Sequence, residues 1–413
     1  MPALVYDVAV VGAGAAGLMA AIASGQSGAR TLLLDTREKN GAKILMSGGT
    51  RCNVTHKQVL LTDFQTGMPR TLRNILSAWT AAQTLSFFKA IGVEMVLEET
   101  GKFFPSTHSA QTVLNALMRT VQAAGVNFEA PRKVQRISRE DAGFRFGGAG
   151  FEYAARNLIL CTGGLSYPAT GSDGEGYQLA QIFGHALVPT SPALTPLWTS
   201  DKDWKSLSGL TLECRLFIRG EKEADYTDSF LFTHQGFSGP APLNISRHWL
   251  RAGSPKPEVS ASFLPKWNAE KLRAELEEEA LRHPRRSVER FLAEKLPARL
   301  AQVLLKKSGI PAALIFNQLS RTQREALVNA VLASPLSVNG TAGYAKAEVT
   351  AGGVDLAEVD SKTLESKKVP GLFFAGEILD VDGRIGGFNF QWAWSSGAAA
   401  ARGVDRFLKS LKP

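Results

Sequence analysis

The sequence predicts an α/β fold in which a parallel-sheet domain, built from both ends of the chain, carries an inserted β-rich and helical domain. Three observations predict it. A valine-rich run, Val5–Val11, leads directly into Gly12-Ala13-Gly14-Ala15-Ala16-Gly17 and an alanine-rich stretch to about Ser27. The pattern of an apolar strand followed by glycine returns at Leu158–Gly164 and at Gly371–Gly376. Between these, Pro189, Pro192 and Pro196 break regular structure in quick succession, and the texture changes. The expected division is 1–189 and 346–413 for the discontinuous domain and 190–345 for the insert. A length of 413 residues suits two or three domains at ~100–200 residues each.

Each element has a local reason. Val5–Val11 reads as a buried parallel strand, because such strands are apolar on both faces. A helix follows to Ser27, and Thr31–Leu34 is the second strand, ending at Asp35. Further strands are expected at Val93–Leu97, Val126–Glu129, Val134–Ser138, Phe144–Phe146 and Asn157–Leu160, and helices at Thr71–Trp79, Ala82–Ile91, Ala110–Ala124 and Glu175–Phe183. In the insert, Leu210–Ile218 and Phe230–Phe232 read as strands, and Asn268–Leu332 as charged, amphipathic helices. A last helix is expected over Phe390–Leu408.

Composition narrows the function classes. With 44% hydrophobic and 21% charged residues, the chain is neither disordered, collagenous nor a coiled coil. Cys52, Cys161 and Cys214 are isolated, which fits a reducing cytoplasm and offers no zinc motif. The six histidines lack H-x-x-x-H spacing, so no metal is expected. Val8–Ala29 is uncharged, but five glycines interrupt it and Asp7 stands where a leader would be basic, so neither a span nor a signal peptide is expected. The net charge of +9 divides as +4 over 1–189, +5 over 190–345 and zero over 346–413. This describes a mildly basic surface or, in the insert, one that attracts a polyanion such as RNA.

Gly12-x-Gly14-x-x-Gly17 between strand and helix is a dinucleotide-binding turn of Rossmann-like type. Its first glycine permits the tight turn, its second the approach of a pyrophosphate, and its third close packing of helix on strand. The N–H groups of Ala15, Ala16 and Gly17, at the positive end of the helix, face the phosphates. Asp35, 18 residues after Gly17, is placed to accept hydrogen bonds from a ribose diol and to repel a 2′-phosphate. This motif leaves NAD and FAD open. Thr162-Gly163-Gly164 after one strand, Gly376-Glu377 after another, and Gly386-Gly387 before a helix jointly favour FAD, with Glu377 as a ligand of the ribityl chain. No second G-x-G-x-x-G marks a resident nicotinamide site, so either NAD(P)H binds transiently as electron donor or electrons come from another donor.

Long motifs also carry a resemblance. Lys43-Ile44-Leu45-Met46-Ser47-Gly48-Gly49-Thr50-Arg51-Cys52-Asn53-Val54-Thr55 resembles the K-x-x-x-S-G-G-G-R-C-N-V-T signature of the bacterial aminoacetone-oxidase-like FAD-binding flavoproteins. Phe232-Thr233-His234-Gln235-Gly236-Phe237-Ser238-Gly239-Pro240-Ala241 resembles their F-T-H-x-G-x-S-G-P-A segment, and Gly376-Glu377-Ile378-Leu379-Asp380 with Gly386–Ala393 completes the match. Thr50 replaces the third glycine of S-G-G-G, and Ser172–Tyr177 departs from T-G-D-G-Y. The resemblance implies a Rossmann-like FAD domain with an insert, and Lys43, Ser47, Gly48, Gly49, Arg51 and Asn53 beside the cofactor. It also implies chemistry of the kind linked to the family: reduction of uracil to dihydrouridine in large-subunit ribosomal RNA, and flavin-dependent steps on bile-acid intermediates.

Reduction of an activated C=C needs a hydride on one carbon and a proton on its neighbour. Cys52, a thiol with an ordinary pKa of ~8.5, and His234 are the candidates for moving that proton; the alternatives are that Cys52 packs beneath the flavin as a small buried hydrophobe and that His234 makes a structural hydrogen bond. Asn389 and Gln391 are expected to bond the pyrimidine edge of the flavin. Cys161 and Cys214 read as core. For an RNA substrate, Lys202, Lys205, Arg247, Arg251, Arg285 and Arg286 of the insert are expected to neutralise phosphates. Oxidation or reduction of a small amine or enoyl metabolite, and an FAD-binding protein without catalysis, are the alternatives.

Overall fold

The computed structural model describes residues 6–219 and 223–410. Val5, the expected start of the first strand, lies outside the described residues. The chain divides into two compact units, 1–192 with 348–413, and 193–347.

The first unit is a Rossmann-like α/β domain. Strands β1 (Tyr6–Val11), β2 (Thr31–Leu34), β3 (Asn127–Glu129), β4 (Arg136–Glu140), β5 (Gly143–Gly148), β6 (Phe151–Leu160) and β7 (Leu372–Phe374) form one sheet. Its order is β3-β2-β1-β6-β5-β4, with β7 also pairing β6. The β1–β2, β2–β3, β1–β6 and β6–β7 pairs are parallel. Strand β6 is longer than expected because Phe151–Ala155 pair antiparallel with β5, while Leu158–Leu160 pair with β7. The C-terminal segment thus supplies a strand of the same sheet as β1.

Residues alternate between two buried faces: Val8, Val10, Leu33 and Ile159 belong to one core, and Ala9, Val11, Leu32, Leu34, Leu158 and Leu160 to another. Covering both faces explains why these strands read as unbroken apolar runs. Helix α1 (Ala15–Gln26) packs against α3 (Phe388–Ser410), with α2 (Ala42–Thr50) between them in sequence. A Cβ on Gly397 would lie 2.4 Å from the Ala16 carbonyl oxygen, so only glycine lets α3 seat on α1. The last helix begins at Phe388, two residues earlier than expected, because Gly387 ends the preceding turn.

The second unit holds a seven-stranded antiparallel sheet, in the order Ser334–Pro335, Ser260–Ser262, Thr211–Ile218, Ala224–Phe232, Gly236–Ser238, Leu197–Thr199, Val338–Thr341. Helices Pro240–Arg251, Ala269–Arg282, Val288–Ala293, Ala298–Lys307 and Arg321–Leu332 accompany it. The strand expected at Phe230–Phe232 extends back to Ala224, paired along its length with Thr211–Ile218. Its core is separate and aromatic, built on Trp204, Phe230, Phe232, Phe237 and Phe263. Among the described residues no helix is long and apolar enough to cross a membrane, and no group of His, Cys, Asp and Glu could hold a metal ion.

Candidate functional site

The glycine-bearing turns of the first unit lie at the C-terminal ends of β1, β6 and β7, where open parallel sheets bind ligands. Gly12 adopts φ +104, and a Cβ there would lie 2.4 Å from the Cys161 carbonyl oxygen. A Cβ on Gly17 would lie 1.7 Å from the Gly12 carbonyl oxygen. Internal packing therefore demands both glycines. Gly14 differs, since a Cβ there meets no protein atom within 4 Å. That open space fronts the first turn of α1, which carries no acidic residue and whose N–H groups at Ala15, Ala16 and Gly17 lack intrahelical acceptors. Asp35, just past β2, accepts from Ala13 N at 2.6 Å and from Arg37 N at 2.9 Å. Burial raises its pKa above the usual carboxylate value, against the pull of those two N–H groups.

Turns from β6 and β7 are tied together by polar side chains. The Glu377 carboxylate accepts from Thr350 N at 2.9 Å, from Ser166 Oγ and from Lys43 Nζ. Lys43 Nζ also donates to Ser166 Oγ at 2.8 Å and Ser172 Oγ at 3.0 Å. Thr350 Oγ1 accepts from Leu165 N at 2.8 Å and Ser166 N at 3.1 Å. This knot joins α2, the loop after Thr162-Gly163-Gly164 and the turn after β7. Three donors occupy a carboxylate with about four acceptor positions, so Glu377 ties these turns together and keeps one position for a further donor. Gly376 (φ +81) abuts α1, with a Cβ position 2.8 Å from the Ala16 side chain. Gly163 (φ +77) and Gly164 press on Ser172 and Thr350, leaving no room for larger residues. The Thr162 hydroxyl is buried without a hydrogen-bond partner and packs on Gly176. Ser166, Ser172 and Thr350 escaped the sequence reading, because isolated hydroxyls carry no spacing signal.

Helix α2 breaks at Ser47, Gly48 and Gly49, the two glycines taking left-handed backbone at φ +55 and +65. Ser47 Oγ is spent on the Ile44 carbonyl at 2.8 Å. Thr50 keeps left-handed backbone at φ +68 despite replacing a glycine. Arg51 pairs with Glu98 at 2.6 Å and lies 4.1 Å over the Phe104 ring, so its charge is held by its own hairpin neighbours.

Of the two readings of Cys52, the structure favours packing. It is 0% exposed, within the core beside Ile44 and Val54, and burial pushes its thiol up to about 12. A thiol that reaches no surface and holds its proton so firmly is a packing group. Cys52→Ala is expected to keep wild-type turnover while lowering stability by about 1 kcal/mol, as read by paired activity assays and urea unfolding.

Beyond it, the Asn53 amide oxygen is buried without a donor and faces Gly387, whose Cβ position is 2.7 Å away. Gly386 (φ +135) and Gly387 (φ +92) lead into α3, whose first turn is free of acidic residues. Gln391 is a correction, and Asn389 is partly engaged within the protein. Asn389 exchanges both of its amide bonds with the Gly383 backbone, at 2.8 and 2.9 Å. Gln391 is 1% exposed and saturated by Thr55, Ser395 and the Trp79 carbonyl. Both amides brace the start of α3. Cys161 and Cys214 are core, as expected. His234 belongs to the second unit, exposed in the turn closed by Thr233 N donating to Gly236 O at 2.7 Å.

The residues present fit a flavin dinucleotide. Open space beside Gly14, free N–H groups on α1 and α3, and the orphaned Asn53 oxygen are features that a bound dinucleotide would satisfy.

Comparison with known proteins agrees with this fold. The family described as HI0933-like protein Rossmann domain matches residues 6–403. The chain is 36% identical over 400 residues to the ribosomal RNA dihydrouridine synthase of Escherichia coli (strain K12), covering 96% of this chain and 97% of that protein. It is 31% identical over 401 residues to the 3-dehydro-bile acid delta(4,6)-reductase of Clostridium scindens, covering 96% and 98%. The crystal structure of 3-ketosteroid-delta4-(5alpha)-dehydrogenase from Rhodococcus jostii RHA1 superposes with a TM-score of 0.50 at 16% identity, over 97% of this chain and 96% of that one, a likeness of fold.

Proposed function

The chain belongs to the HI0933-like Rossmann-domain family, and from that membership and the site geometry we propose an FAD-dependent oxidoreductase that reduces an activated C=C. Uracil in 23S ribosomal RNA is the leading substrate and dihydrouridine the product. The convergence of the β1, β6 and β7 turns around open space beside Gly14 carries the cofactor assignment. The substrate rests on the 36% identical relative, matched over nearly its full length.

FAD bound here supplies hydride chemistry. The first-turn N–H groups of α1 would hold its pyrophosphate, and Asp35 would accept from its ribose. The N-terminus of α3 would favour negative charge on a flavin bound there, and the Asn53 oxygen would be available to accept a hydrogen bond from it. The Lys43–Glu377–Ser166 knot fixes these turns, and Cys52 packs beneath them. Electrons arrive from a transiently bound NAD(P)H. An rRNA substrate places the reaction in the cytoplasm.

RNA contact falls to the insert. Lys202 and Arg285 are exposed there. His234, also exposed, is offered to the substrate. Arg286 is a correction, because Glu279 and Glu294 both pair with its guanidinium, which also lies over Phe291. RNA affinity should fall steeply with salt, the slope of log affinity against log salt being about −0.7 for each phosphate contacted on single strands. Nucleoside mass spectrometry of 23S rRNA from cells with and without the gene tests the substrate. Loss of a dihydrouridine is expected, and an unchanged profile discards this substrate. The bile-acid reductase relative favours a second reading, reduction of a small enoyl metabolite. Salt-insensitive turnover of such a compound would select it.

A further inference from the structure

Among the described residues, seven non-glycine residues adopt positive φ, and three of them, Thr50, Cys52 and Tyr167, lie in the two glycine-rich loops of the site. Each carries a group able to move a proton, but they differ in access. The Thr50 hydroxyl is bound to the Gly49 carbonyl at 2.6 Å, and Cys52 is 0% exposed. Tyr167 is half-buried, and its hydroxyl makes no hydrogen bond to any described residue.

Its backbone is strained and held from both sides. At φ +46 and ψ +65 it occupies the left-handed region, where a bulky side chain is a genuine outlier. The two residues before it are anchored by Thr350 Oγ1, which accepts from Leu165 N and Ser166 N. After it, Thr170 donates from N at 2.8 Å and from Oγ1 at 2.7 Å to the Tyr167 carbonyl, closing the short helix begun by Pro168. Ser166 also donates to Glu377, which adjoins the Gly376 turn on α1. Strain that surrounding structure maintains this heavily is a mark of function.

Building on the reductase reading, we propose that Tyr167 is the catalytic acid of the reduction: its phenol gives a proton to the carbon next to the one that receives hydride from the reduced flavin. The electron pair of the hydride forms the new C–H bond. The π pair of the C=C moves to the neighbouring carbon as an enolate and takes the phenolic proton, and water returns a proton to the phenolate. Burial and the nearby Glu348 carboxylate both raise the phenol's pKa, so it is protonated when needed. An enolate carbon is basic enough to take that proton.

Tyr167→Phe keeps the ring and removes only the acidic proton. The test uses FAD-loaded protein, NAD(P)H or dithionite as reductant, and 23S rRNA from a strain lacking the gene. The variant is expected to bind FAD with wild-type affinity and unfold at the wild-type temperature. Its reduced flavin should be reoxidised normally by ferricyanide, which needs no proton on carbon, while dihydrouridine formation falls by at least ~100-fold. Conversion by the variant at close to the wild-type rate, or loss of FAD from it, overturns the assignment while leaving the reductase reading intact. Wild-type protein that is reoxidised by ferricyanide yet leaves the RNA unchanged overturns the substrate reading and this assignment with it.

Discussion

Gly17→Ala is expected to destabilise the first unit by at least ~3 kcal/mol and to abolish flavin retention. The added methyl group would sit 1.7 Å from the Gly12 carbonyl oxygen, which no side-chain movement can relieve because the backbone fixes both positions. α1 must lift from β1, and its N–H groups move away from the phosphates they would bind. Gly14→Ala is the matched control. Its methyl group meets no protein atom within 4 Å, so stability should be nearly unchanged while FAD affinity falls. Urea unfolding together with the flavin-to-protein absorbance ratio separates the two. Equal behaviour of the variants would contradict the division between a packing glycine and a ligand-facing one.

Glu377→Gln is expected to cost about 2–3 kcal/mol and to weaken FAD binding. This lies between the small worth of exposed ion pairs and the large penalty for leaving a buried charge unpaired. The amide keeps the shape and can still accept from Ser166 and Thr350, but it no longer balances Lys43. The side chains are 28% and 15% exposed, so solvent compensates only in part. Lys43→Met in the Glu377→Gln background should restore much of the lost stability, because it removes the stranded charge. An additive loss in the double variant would show that the two residues act independently.

The parallel strands and the three glycine turns were legible because their causes are local. Two-faced burial makes Val8–Val11, Leu158–Leu160 and β7 unbroken apolar runs, and a turn that a Cβ would block must be glycine. Side-chain assignments that depend on distant partners were not legible. Asn389 and Gln391 look like free amides at a helix start, yet the Gly383 backbone, Thr55 and Trp79 claim them. Cys52 sits in a polar, glycine-rich string, and only the fold shows that left-handed backbone turns its thiol inward. Arg286 reads as a free basic residue until Glu279 and Glu294 are brought beside it. Glu377 was found, but its hold on the neighbouring turns was not, because its partners Ser166 and Thr350 come from other segments of the chain.

Flavin titration of the purified chain tests the central claim most directly. One FAD per chain, with the bound flavin's yellow absorbance and a fluorescence change that saturates at that ratio, is the expected result. Protein that is isolated colourless and leaves the spectrum of added FAD unchanged would contradict it.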